Sequence, residues 1–281
     1  DVYKRQTDTF INRNYDPSDI YMGVSNGVAV LCWYLIRETD NNLEKMLYAA
    51  KGDYLSYKNI FIGKDIIKFH QMYEDGEKMF KPNMEKIKNN LKGKDYIAVV
   101  TDAIEANAEY YSFGDGEWMP KMIASGTLPI LVRTPSLIDG RRKFDGGVAD
   151  PLPVEKAYEM GAKKIIVIRT YEKKFRRKLK IENYIGALLS REYPKLRKAL
   201  LVNDKTYKRE LDFINKDEKI TVDVVCGKTK SPFHIKIHKK NQSDNNPGFK
   251  AYQFSVNIFN GTHCLTSINS LEEKDFIPNP S

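Results

Sequence analysis

The sequence predicts an α/β fold: three layers, with a mostly parallel central sheet and helices on both faces. Two apolar runs, Asp95-Tyr-Ile-Ala-Val-Val-Thr101 and Lys163-Lys-Ile-Ile-Val-Ile-Arg169, are continuous rather than alternating, as strands buried on both faces are. Segments with helical spacing lie between them, as crossover connections require. The chain has 281 residues, 41 % hydrophobic and 30 % charged, enough for one α/β domain with a sizeable core.

In chain order, Ser18 to Val24 reads as a strand, and Asn26 to about Glu38 as a helix apolar on nearly every side and hence buried. A polar, mostly helical stretch covers Leu43 to Leu91. The strand at Asp95–Thr101 takes Ala108–Phe113 as a hairpin partner, and Glu117–Ala124 is a short helix. Asp150-Pro-Leu-Pro-Val-Glu-Lys-Ala157 opens another, with Asp150 as its cap and prolines where lost donors are tolerated. After the strand at Lys163–Arg169, two basic amphipathic helices fit Ile181–Val202 and Lys205–Lys216, before a strand at Lys219–Val225. Asn241-Gln-Ser-Asp-Asn-Asn-Pro-Gly248 reads as a linker, and the tail to Ser281 carries no recognisable motif. The opening Asp1-Val-Tyr-Lys-Arg-Gln lacks a methionine and is set apart from the fold. The main domain is therefore expected over 7–235, with a divergent segment of unassigned role over 236–281.

Composition excludes several classes of function. No apolar run approaches the roughly 20 residues that span a bilayer, and no secretory signal is recognisable. Cys32, Cys226 and Cys264 are odd in number and widely spaced, which suits reduced cytoplasmic thiols better than disulfides or zinc. With no phosphate-cradling loop, dinucleotide fingerprint or metal-ligand spacing, no cofactor and no metal are expected. The net charge of +9 is concentrated in Lys173-Lys-Phe-Arg-Arg-Lys-Leu-Lys180, followed by Arg191, Lys195, Arg197 and Lys198. Such a run is most often a solvated face; its functional reading is peripheral contact with anionic membrane. Aromatic residues do not interleave with it as base stacking requires, so no nucleic acid is expected.

The stretch Asp19-Ile-Tyr-Met-Gly-Val-Ser-Asn-Gly-Val28 joins the first strand to the buried helix. Strand, Gly23-x-Ser25-x-Gly27, helix is the layout of a nucleophile elbow. Glycines at 23 and 27 remove Cβ atoms that would collide in so sharp a turn. The serine then lies at a helix N-terminus, where Asn26 and Gly27 belong to the side favouring an oxyanion.

Further along stand Ala124-Ser125 through Pro129, then Asp145-Gly146-Gly147, then Asp150-Pro-Leu-Pro153. Together with the elbow, these segments resemble the patatin-like phospholipase family, in its bacterial branch. The similarity runs over roughly residues 18 to 235. It implies a lipid acyl hydrolase with a Ser-Asp dyad: Ser25 as nucleophile, Asp145 as base, and a phospholipid or other lipid ester as substrate. Gly146 and Gly147 would let the Asp145 backbone approach the elbow. Because a carboxylate of ordinary pKa is a poor base for an alcohol, such a site must desolvate it or couple proton transfer to attack.

The family also carries a Gly-rich oxyanion loop upstream of the serine, whereas here only Gly23 precedes Ser25. The expectation is a fragment lacking its first strand and that loop. Losing one oxyanion donor costs about a hundredfold to a thousandfold in rate, so the chain alone is expected to be weakly active or inactive. Two alternatives remain. One is a non-catalytic membrane-binding or scaffold protein of the same fold. The other is a Ser-His-Asp hydrolase completed by His234, His238 or His263, with His70 read as an exposed helix residue.

Overall fold

The computed structural model describes residues 2–16, 18–38, 54, 56, 59, 64–79, 82–171, 175–179, 181–216, 221–229, 234–239, 252–260 and 263–266. Its main sheet has five strands: β1 (Ile20–Val24), β2 (Asp95–Asp102), β3 (Ala108–Ser112), β4 (Ser136–Ile138) and β5 (Arg141–Asp145). β2 is the centre. One of its edges pairs antiparallel with β3, from Ile97↔Ser112 to Thr101↔Ala108. The other edge is shared end to end. β1 runs parallel along it from Ile20↔Asp95 to Val24↔Val99. β5 then comes the opposite way, from Asp102↔Lys143 to Val100↔Asp145.

The sheet is thus mixed, which corrects the mostly parallel expectation. Two hairpins reverse the chain inside it, β2–β3 and β4–β5. The second turns at Asp139 and Gly140, both with positive φ (49° and 72°), the backbone a two-residue primed turn demands. A parallel pair forms separately from β6 (Lys164–Tyr171) and β7 (Thr221–Thr229).

α2 (Asn26–Ile36), α4 (Met84–Leu91) and α5 (Trp118–Gly126) cover one face of β2; α3 (Phe69–Met79) comes between α2 and α4 in the chain. There Tyr96 and Ala98 pack with Val28, Cys32, Leu35, Ile87 and Trp118. On the other side Ala103, Phe144 and Val148 pack with Ala187, Leu196 and Leu200, from α7 (Ile181–Leu189) and α8 (Pro194–Lys216). These are the expected three layers, with β2 buried on both faces.

Several local expectations are corrected. The opening residues belong to α1 (Val2–Asn12), whose Phe10 lies in edge contact with Tyr15 (5.1 Å) and Tyr34 (6.5 Å). Asp150 caps no helix: α6 (Val154–Glu159) starts behind Pro153, and Asp150 instead accepts a 2.5 Å hydrogen bond from the Tyr110 hydroxyl. The break between the two basic helices falls before Pro194, which suits a first helical position, and α8 runs unbroken for 23 residues. Strands also occupy parts of the tail: β8 (His234–Lys239), β9 (Tyr252–Asn260) and β10 (His263–Thr266) form an antiparallel sheet. The linker at 241–248 lies outside the described residues.

The end of β2 carries an ion network. Asp102 accepts from Ile104 N (2.9 Å), Glu105 N (2.8 Å), Lys143 Nζ (2.6 Å) and Arg141 Nη2 (2.9 Å), with Lys143 fully buried. Burial pushes the Asp102 carboxyl up, but the backbone N–H bonds and the Lys143 ammonium outweigh it and hold it at about 2. The folded value lies below the unfolded one of about 4, so this carboxylate contributes roughly 2 kcal/mol above pH 4 and loses it as pH falls toward 2. Denaturant titrations between pH 2 and 6 should therefore show the stability gap between wild type and Asp102→Asn narrowing in acid. A gap independent of pH would contradict this.

Candidate active site

The shared edge of β2 builds the site. β1 ends at Val24 opposite Val99, and β5 ends at Asp145 opposite Val100, so the C-terminal ends of two strands meet head to head. Ser25, the residue after β1, therefore lies beside Asp145. Its Oγ donates to Asp145 Oδ2 at 2.6 Å, and the two residues are 2 % and 0 % exposed. The other carboxylate oxygen, Oδ1, accepts from Gly147 N at 2.7 Å. One oxygen of the carboxylate thus faces the serine while the backbone pins the other.

The local backbone explains the glycines. Ser25 has φ 57° and ψ −130°, a strained conformation for a residue with a Cβ and the geometry of a sharp strand-to-helix turn. A Cβ at Gly23 would lie 2.7 Å from Val28 N and Cα. At Gly146 it would lie 2.2 Å from Val99 O, where the chain leaving Asp145 crosses the central strand. Asn26 and Gly27 open the first turn of α2, and the Val28 N–H of that turn donates to Ser25 O at 3.0 Å.

Four further residues hold the pair in place. Ser125 Oγ accepts from Ser25 N (2.9 Å) and donates to Val99 O (2.7 Å), so it ties the nucleophile's backbone to β2. Consequently the N–H of Ser25 itself is committed to Ser125. Thr127 O accepts from Asp145 N at 2.9 Å, and Thr101 Oγ1 donates to Asp145 O at 2.7 Å. From α8, buried Asn203 donates through Nδ2 to Gly147 O (2.9 Å) and Val148 O (3.0 Å). Ser125 belongs to one of the segments that carry the resemblance, whereas Thr101, Thr127 and Asn203 have no sequence signal. Asn203 stands 56 residues from Gly147, so only the tertiary fold brings them together.

Tyr73 of α3 belongs to the same surroundings. Burial raises its phenol, with Cys32 and the Asp145 charge adding to the effect, so it stays protonated. On that helix His70 is half-buried rather than exposed, with Nε2 2.9 Å from Ser136 Oγ. The side chains of His234, His238 and His263 lie outside the described residues.

The basic run is not one solvated face. Lys173, Lys174 and Lys180 lie outside the described residues, while along 175–179 half-buried Phe175, Arg177 and Leu179 alternate with exposed Arg176 and Lys178. Phe175 stacks on Tyr171 at 3.8 Å, and the Arg177 guanidinium lies 4.4 Å over the Tyr207 ring and donates to Asn203 Oδ1. Burial lowers the pKa of Arg177, and Asp145 is among the charges in its surroundings. Arg176 and Lys178 point outward.

Among the described residues no group of three or more His, Cys, Asp or Glu is arranged to hold a metal ion. Nor, among them, is any helix long and apolar enough to cross a membrane. No protein-family model matches the chain. It is 23 % identical over 165 residues to the uncharacterized protein YjjU of Escherichia coli (strain K12), a match covering 58 % of this chain and 46 % of YjjU. The chain thus spans less than half of that relative's length, and the similarity conveys distant kinship without an activity.

Proposed function

We propose that the chain is a serine hydrolase acting on carboxylic esters of lipids through a Ser25–Asp145 dyad. The observation that carries this reading is the 2.6 Å hydrogen bond from Ser25 Oγ straight to Asp145 Oδ2, made by a serine in a strained elbow. The lipid class comes from the resemblance to patatin-like phospholipases, carried by Ser25, Asp145-Gly146-Gly147 and the segments around them.

In this mechanism Asp145 Oδ2 takes the Ser25 proton as Oγ attacks the ester carbonyl. Gly147 N holds the other oxygen, which keeps the carboxylate from turning away. The first turn of α2 lies beside the developing oxyanion, where helix-terminal donors favour negative charge. Collapse expels the alcohol, which takes the proton back from Asp145 and leaves an acyl-Ser25 ester. Water then attacks that ester, Asp145 again accepting a proton, and the fatty acid leaves as Ser25 is restored. Neither metal nor cofactor takes part in these steps.

Fatty-acid release from dispersed phosphatidylglycerol, together with hydrolysis of a short-chain nitrophenyl ester, tests the proposal. Both activities should be present in the wild type and absent from Ser25→Ala. Turnover above that of buffer and equal in the two proteins would overturn it.

A further inference from the structure

α7 is oriented against the usual rule for a surface helix. Its inner side is small or polar: a Cβ at Gly186 would lie 3.5 Å from Ile130, Ala187 packs with Phe144 and Val148, and Asn183 donates to Leu200 O at 3.2 Å. Its outer side carries Tyr184, Ile185 and Leu188, which are 55 %, 39 % and 49 % exposed. Positions i, i+1 and i+4 form one stripe on a helix, so the three make a continuous apolar patch where polar residues are normal. Ile104, 54 % exposed, belongs to the same flank: its neighbours Ala103 and Glu105 contact Ala187's cluster and Lys195 respectively.

Cations surround this patch. Between residues 176 and 198 the chain has eight basic residues against two acidic ones. Lys178 before the helix, and Arg191, Arg197 and Lys198 after it, are exposed and make no ion pair with a described residue. A nine-residue helix is only about 13 Å long, so both ends of the apolar stripe carry positive charge.

We propose that the outer face of α7, with its flanking cations, docks on an anionic lipid surface. Apolar side chains entering the acyl boundary while cations meet headgroup phosphates is the chemistry of an interfacial helix. A second copy of this chain fits less well, because a two-fold contact would set the same cations against each other. The location suits a lipid substrate, since Ala187 shares its packing cluster with Phe144 and Val148, which flank the Asp145 segment. In that respect alone the inference rests on the hydrolase reading.

Vesicles of diether phosphatidylcholine and diether phosphatidylglycerol test it, because they contain no ester to cleave and report binding apart from catalysis. The full chain should co-sediment with vesicles rich in diether phosphatidylglycerol, weakly with pure diether phosphatidylcholine, and less in high salt. Ile185→Glu/Leu188→Glu should bind at least roughly tenfold more weakly while hydrolysing a soluble ester at the wild-type rate. Unchanged vesicle binding by the double variant would overturn the proposal, as would equal binding to both lipid compositions or none to either. A wild-type dimer in light scattering that becomes monomeric in the double variant would assign the face to a second copy instead. If Ser25→Ala cleaves the soluble ester as fast as the wild type, the hydrolase reading fails while the binding comparison stands.

Discussion

Asp145→Asn is expected to lower kcat/KM for a soluble ester by at least roughly 10⁴-fold while leaving the folding transition in place. The asparagine Oδ1 can still accept from Gly147 N, as Asp145 Oδ1 does at 2.7 Å, so the turn keeps its backbone bond. What disappears is the anionic oxygen that receives the Ser25 proton. In the same experiment, changing His70, His234, His238 and His263 together to glutamine should alter kcat/KM by no more than about threefold, because the bond from Ser25 to Asp145 has no imidazole between its ends. A folded histidine-free protein with a loss of several orders of magnitude would replace the dyad with a triad.

Gly146→Ala should destabilise the fold by about 3 kcal/mol or more, lowering the melting temperature by roughly 10 °C. The added Cβ would lie 2.2 Å from Val99 O and 2.5 Å from Val99 C. Both atoms are backbone of the central strand, at the point where β1, β2 and β5 meet, so neither can retreat without breaking the sheet. Gly76→Ala is the control. A Cβ there meets nothing within 4 Å, and the residue lies inside α3, so replacing it should be neutral or stabilise by about 0.5–1 kcal/mol. Urea melts of the two variants should diverge accordingly; a Gly146→Ala protein as stable as wild type would contradict the close crossing.

The elbow and Asp145-Gly146-Gly147 were legible because each is short, local and dictated by steric demands that only glycine meets. The antiparallel hairpin of Ala108–Phe113 on Asp95–Thr101 was legible too, but the directions of the other strands were not. A continuous apolar run such as Asp95–Thr101 reports burial on both faces, but whether its neighbours run parallel depends on connections elsewhere. The Asp139-Gly140 hairpin did carry a readable turn signal, and its strands are short enough that the surrounding charges at 141–143 masked it. Asn203 illustrates a different limit. A polar residue inside a basic amphipathic pattern reads as a solvated or helix-ending position, and nothing local says that its amide reaches two carbonyls beside the base. The run at 173–180 likewise reads as one basic surface, whereas the fold seats Arg177 over the Tyr207 ring and leaves Arg176 exposed.

Covalent trapping tests directly whether Ser25 is a nucleophile. The full chain should be treated with a fluorophosphonate, digested, and mapped by mass spectrometry. The adduct is expected on Ser25, absent from Ser25→Ala and strongly slowed in Asp145→Asn. An adduct on Ser18 or Ser125, or no adduct on a folded wild type, would contradict it.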